Sequence, residues 1–242
     1  MMFRKFFIVV LVAAASKVEA QGLIKPGDQQ IQYQLIRPQH NFYKLVLLDS
    51  AGNKQMEMLN EEIISIDTSK QQLIRTQFRS FGGGRMLTDS TIADLRTLSP
   101  IRMRMVTYPA VMQMNLSFRK TDVHAVVNRG GKHTDTVHRM QEGYFDSNLI
   151  EYLFQLLPYK EGFSCQINAY TFEKDGMDPH TVKYVGEDMN EDLNGNIRKM
   201  NVVEVRSKDG QSVDLLWLDK NTGKVYKHTG RFGNRRFIIT TL

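Results

Sequence analysis

The chain has 242 residues, 32 Lys and Arg against 26 Asp and Glu, a formal net charge of +6, and a single cysteine. Its basic residues form only short clusters such as Arg235-Arg236. Without a run of like charge the small excess argues against nucleic-acid binding and leaves a weak lean toward anionic membrane surfaces or lipid head groups. One cysteine excludes an internal disulfide, so the fold must rest on its packed core.

At the N-terminus Arg4 and Lys5 precede an apolar run from Phe6 to Ala15, and small residues lead to Val18-Glu19-Ala20 before Gln21. The pattern predicts a secretory signal peptide over residues 1–20. Lys17 and Glu19 interrupt the run short of the roughly 20 apolar residues that a transmembrane helix needs. Gln21, where a lipid-anchored precursor would carry cysteine, argues against a lipoprotein. Residues 21–242 are expected to form a single β-rich domain in the periplasm or secreted, with no transmembrane segment after cleavage.

Short alternating segments separated by turn residues predict antiparallel strands at Ile31 to Arg37, Phe42 to Leu48, Gln55 to Leu59, Ile63 to Asp67 and Leu73 to Phe78. Asp89 or Ser90 is expected to start a helical turn through Ile92 and Leu95 to Leu98. Ile101, Met103 and Met105 alternate with Arg102 and Arg104. Beyond Pro109, Met112, Met114, Leu116 and Phe118 alternate with polar residues, so the two segments are expected to present one continuous apolar surface. Val123 to Asn128 reads as a strand and Arg129 to Tyr144 as a loop.

Asp146 or Ser147 is expected to cap a helix whose Leu149, Ile150, Leu153, Phe154 and Leu157 recur at helical spacing until Pro158. Further strands are expected at Phe163 to Phe172, Thr181 to Glu187, Ile197 to Arg206, Val213 to Leu218, Lys224 to His228 and Arg236 to Thr240. Ser50-Ala51-Gly52-Asn53, Lys208-Asp209-Gly210 and Asn221-Thr222-Gly223 supply tight turns. With so much strand, the apolar face must be hidden by curling or by wrapping the helix. A half-barrel or β-sandwich follows; we expect a mostly β fold, a single antiparallel curled sheet forming a half-barrel or open barrel with one or two short helices on its concave face.

Chemistry-bearing motifs are few. Gly82-Gly83-Gly84-Arg85 lacks the Lys-Ser/Thr ending of a phosphate loop and reads as a turn. His124, His133, His138 and Asp135 are candidates for convergence, but their spacing matches no zinc signature. Asn190 to Ile197 echoes a calcium loop, yet Asn201 stands where the bidentate glutamate should be. There is no Gly-x-Ser-x-Gly elbow, and Cys165 reads as a small buried hydrophobe. Glu61-Glu62 and Glu187-Asp188 read as solvated charge. Neither a metal, a cofactor nor a catalytic set is expected.

Asp89-Ser90-Thr91, Thr97-Leu98-Ser99-Pro100, the run Leu156-Leu157-Pro158-Tyr159-Lys160-Glu161-Gly162, and the closing Trp217-Leu218-Asp219 with Thr222-Gly223-Lys224-Val225-Tyr226-Lys227 resemble an uncharacterised family of bacterial periplasmic β proteins. That family is similar in architecture to the outer-membrane lipoprotein carriers. The resemblance implies an open half-barrel whose concave apolar face is covered by helices and holds a lipid; it carries over no functional residue.

Of 13 methionines, several fall in predicted strands, and a flexible thioether surface suits a lipophile or fills an irregular core. The expected function is an exported, non-catalytic module that binds a lipid or lipophilic ligand. Its apolar side would be lined by Met103, Met105, Met112, Met114, Leu116 and Phe118, with Leu153 and Phe154 from the helix. The alternatives are an envelope scaffold with a filled core and a protein partner, or a hydrolase of envelope polymers built on the histidines.

Overall fold

Alternation of apolar and polar residues dominates the chain, and it produces a ladder of strands in a computed structural model that describes residues 22–82, 84–109, 111–172, 176–191, 196–208 and 212–242. The expected leader, Gly83, residues 192–195 of the calcium-like segment and the turn at Asp209-Gly210 lie outside the described residues. The first half contains β1 (Leu23–Ile24), a 3-10 turn at Tyr33–Leu35, β2 (Gln39–Leu48), β3 (Lys54–Asp67), β4 (Gln72–Phe81) and β5 (Gly84–Asp94). It continues through β6 (Pro100–Thr107), β7 (Met112–Phe118), β8 (Asp122–Arg129), β9 (Lys132–Arg139) and β10 (Phe145–Asp146). After a 3-10 turn at Ser147–Leu149 and α1 (Ile150–Phe154) come β11 (Ser164–Thr171), β12 (Gly176–Glu191), β13 (Ile197–Ser207), β14 (Val213–Asp219), β15 (Val225–Phe232) and β16 (Arg235–Thr241).

These strands form one sheet in the order β1-β11-β12-β13-β14-β15-β16-β2-β3-β4-β5-β6-β7-β8-β9, with β10 also against β11. Every pairing is antiparallel except those of β1 and β10 with β11. The C-terminal strand β16 lies against β2, with Ile239 opposite Leu45, and so joins the two halves of the chain. The sheet is open and curled. Its two ends meet through side chains: the Tyr170 hydroxyl lies 3.1 Å from His138 Nδ1, and the Phe172 ring stacks on the same imidazole.

Alternation places one side chain in two on the inner face, where they form two apolar clusters. One surrounds α1, with Leu149, Tyr152, Leu153 and Leu156 buried against Ile64, Leu73, Ile167, Val203 and Leu216. The second packs Met103, Met114, Leu116 and Phe118 against Val123, Ala125, Tyr144 and Tyr170. Curling of one sheet around a short helix agrees with the expected fold class.

The strands expected at Gln55 to Leu59 and Ile63 to Asp67 are one continuous β3, and four further elements differ. The segment from Ile31 to Arg37 makes a 3-10 turn, with Ile31 itself in the core. The helical turn from Asp89 is instead the end of β5, paired on both flanks; only Asp94 to Leu98 turns, held by Asp94 Oδ1 accepting from the N–H groups of Arg96 and Thr97. Residues 129–144 contain β9, because Gly130-Gly131, both at positive φ, makes a tight hairpin rather than a loose loop. The helix capped by Asp146 runs as a 3-10 turn and then five residues of α-helix, shorter than its apolar spacing suggests.

Candidate functional site

The inner face of β3, β4 and β5 carries charge in the middle of the fold. Glu62, Arg75, Gln77, Asp89 and Thr91 are all buried there, on strands held in register by the Glu62–Gln77, Arg75–Thr91 and Gln77–Asp89 pairings. Arg75 Nε donates to Glu62 Oε1 at 2.6 Å, and its Nη1 donates to the Asn148 carbonyl beside α1. The other Glu62 oxygen accepts from Tyr43 Oη at 3.0 Å and Asn41 Nδ2 at 3.1 Å. Asn41 Oδ1 in turn accepts from Lys224 Nζ at 3.1 Å. Reading Glu61-Glu62 as a solvated pair is therefore corrected: Glu62 is 1 % exposed. A buried charge must be paired and hydrogen-bonded, and Glu62 is.

A second cluster pins the helix. His228, on the inner face of β15, has Nδ1 3.2 Å from Glu151 Oε1 and Nε2 3.4 Å from Asp214 Oδ2, and its ring meets Phe237 edge-on. Burial pulls His228 down, but the hydrogen bonds and charges of Asp214 and Glu151 outweigh it and raise the imidazole to about 9. Burial likewise pushes Glu151 up, and His228, Arg75 and Arg79 together hold it below the usual range. Asp146 is pushed by burial to about 6 despite bonds from the Thr91 hydroxyl and the Asn148 N–H. Burial raises Asp89 against the attraction of Arg79 and Arg75.

Beside this seam is a cavity of about 200 Å³ lined by Leu45, Met58 and Ile239 on one side and Arg75, Gln77, Arg79, Asn148 and Glu151 on the other. Neighbouring registers, His228 to Ile239, Ile239 to Leu45 and Leu45 to Met58, put the apolar wall on the same inner face as the charges. Two polar groups there lack partners among the described residues. The Arg79 guanidinium makes no hydrogen bond, although Asp89 and Glu151 lie within its field. Asn60 Oδ1 is buried with no donor. The chamber offers an apolar wall and a polar floor able both to donate and to accept.

The eight residues expected to line an apolar site fall in two places. Met103, Met114, Leu116 and Phe118 are buried in the second cluster, Met105 and Met112 pack on its border, and Leu153 and Phe154 belong to the cluster around α1. The expected continuous surface of β6 and β7 does form, with Met103 opposite Leu116 and Met105 opposite Met114. Packing leaves those side chains little open surface.

The histidines separate. His124 Nε2 bonds to Asp135 Oδ1 at 2.7 Å, whereas His133 bonds to Asn128 Oδ1 and His138 turns inward to Tyr170. Among the described residues no three His, Cys, Asp or Glu side chains gather as metal ligands. Cys165 is fully buried, and burial pushes its thiol up to about 12.

Alternation on β4 conceals the site from sequence reasoning. Leu73, Arg75 and Gln77 face inward while Ile74, Thr76 and Phe78 face outward, so both parities carry apolar residues. The helix-start residues at Asp89 and Ser90 point to a helical turn and hide the strand parity that sets Asp89 and Thr91 on the same face as Arg75.

The fold and its interior define a β-barrel-like protein with one open, curled sheet and a polar seam through its core. The chain belongs to the family described as "Protein of unknown function (DUF3108)", whose model matches residues 49–240. Its fold is similar to a crystal structure of a beta-barrel-like protein of the domain of unknown function DUF1849 from Brucella abortus. That likeness has a TM-score of 0.58 at 11% identity over 85% of this chain and 95% of that one. No curated protein matches the chain. No helix among the described residues is long and apolar enough to cross a membrane.

Proposed function

We propose that this protein is an exported, non-catalytic binding module that holds a single-chain amphiphile in the chamber beside α1. The observation that carries the reading is the Arg79 guanidinium, without a hydrogen bond to any described residue, lining one cavity with the apolar side chains of Leu45, Met58 and Ile239. The tail would lie on that wall, where each methylene removed from water contributes about 0.8 kcal/mol. Oxygen atoms of the head would accept from Arg79, and a head-group hydroxyl would donate to Asn60. The cavity, about 200 Å³, is smaller than the roughly 300–1,000 Å³ of drug-sized sites, which favours one chain end over a diacyl lipid. The leader-like N-terminus supports a location outside the cytoplasm.

The placement moves the expected ligand face from the methionines of β6 and β7 to the far side of the seam, where space remains. The test is calorimetric titration with octanoate alongside native mass spectrometry of protein purified without detergent. The expected result is saturable binding that weakens about tenfold in Arg79→Gln, the loss of one charged hydrogen bond, and disappears in Met58→Asp. A clean apo mass with no heat of octanoate binding would overturn the reading in favour of a packed scaffold.

A further inference from the structure

On another side of the molecule, a cleft of about 590 Å³ opens between the segment after the first 3-10 turn, the start of β13 and the turn before β15. Arg37, Arg198 and Lys224 line it, and Asp219 is the one acidic side chain among its lining residues. That acid is already committed: Asp219 Oδ1 accepts from the N–H groups of Asn221 and Thr222 and from the Thr222 hydroxyl, and Oδ2 accepts from Arg198 Nη1 at 3.2 Å.

Arg198 is thus paired with Asp219, whereas Arg37 and Lys224 are less committed. Arg37 Nη2 reaches the Thr222 carbonyl at 3.4 Å, and Lys224 Nζ bonds the neutral Asn41. The Tyr226 hydroxyl, also on the cleft, has no hydrogen bond to any described residue. The register between β14 and β15 shifts from Trp217–Lys227 to Leu218–Val225, so Tyr226 is the extra residue of a bulge, a device that re-aims side chains. The turn itself is fixed. Gly223 has φ +72, and a Cβ there would stand 2.4 Å from the Gln155 carbonyl oxygen at the end of α1.

We propose that this cleft binds an oxyanion of the phosphate class, held by Arg37, Arg198 and Lys224 with the Tyr226 hydroxyl as a further donor. The Arg37 fork and the Lys224 ammonium, joined by the part of the Arg198 guanidinium not given to Asp219, line one cleft and match the several acceptor oxygens of a phosphate group. The site is separate from the chamber beside α1 and does not depend on it. A free phosphate and one carried on a lipid head group present the same oxygens, and the two arms of the test tell them apart.

The test titrates inorganic phosphate into the purified chain by calorimetry and, in parallel, co-sediments the chain with phosphatidylcholine vesicles with and without phosphatidylglycerol. Arg37→Gln alters an exposed side chain, and Tyr226→Phe removes a hydroxyl that bonds no described residue, so both are expected to fold. Saturable phosphate binding that weakens about tenfold in Arg37→Gln, weakens less in Tyr226→Phe and is unchanged in Arg79→Gln establishes the site with a free anion. Sedimentation with phosphatidylglycerol only, lost in Arg37→Gln, establishes it with a head group. Absence of both, or binding equal in wild type and Arg37→Gln, overturns the proposal.

Discussion

At the residue scale, the interior of this protein is governed by paired charge. Glu62 and Arg75 have side chains 2 % and 4 % exposed and lie 2.6 Å apart, so removing one partner leaves a desolvated charge. Glu62→Leu is expected to cost about 3–5 kcal/mol in urea unfolding, while the double change Glu62→Leu with Arg75→Met recovers most of it. Recovery failing in the double variant would mean that the pair positions the strands rather than merely balancing charge.

His228 belongs to the same scale. Its folded value of about 9 lies above the ordinary value near 6.5, so the protonated ring stabilises the fold. That contribution, about 3 kcal/mol, is fully present below pH ~6.5 and is lost as pH rises toward ~9. Melting curves from pH 6 to 10 should therefore fall steeply for the wild type and less for His228→Gln. Equal slopes would remove His228 from the account. Cys165, buried with its thiol raised to about 12, should resist thiol reagents until the protein unfolds.

At the element scale, β6 and β7 carry the second apolar cluster with the least ambiguity. Leu116 is 1 % exposed, and Leu116→Ala is expected to cost about 2–5 kcal/mol by chemical denaturation. This hairpin was legible because its alternation is strict: Met112, Met114, Leu116 and Phe118 face in while Gln113, Asn115 and Ser117 face out. Most of the sheet follows the same logic, and so does the turn at Asn221-Thr222-Gly223. The polar seam was not legible, because β4 is apolar on both faces and Arg75 and Gln77 look there like surface residues. Register fixes their side, and register depends on partners distant in sequence. The segment from Asp89 carries helix-like start residues, yet Thr88, Thr91 and Ile92 are β-branched and pairing with β4 and β6 decides its form.

At the scale of the whole molecule, one sheet closes around two apolar clusters with charge between them. Its ends are joined by Tyr170, Phe172 and His138 rather than by a ladder of backbone bonds, which leaves β9 as the outer edge. Amide exchange should consequently be faster along the free side of β9 than in β3 and β4 at the centre of the sheet. The cavity beside α1 lies apart from the second cluster, in which Met103 and Met114 are buried.

In the proposed binding mode a lipophile sits against Met58 and Ile239 and not against the buried methionines. Methyl NMR of protein labelled at methionine and isoleucine, titrated with octanoate, tests it directly. Saturable shifts at Met58 and Ile239 are expected, with their midpoint raised about tenfold in Arg79→Gln and with Met103 and Met114 still. Shifts confined to Met103 and Met114, or none at any methyl group, would contradict it.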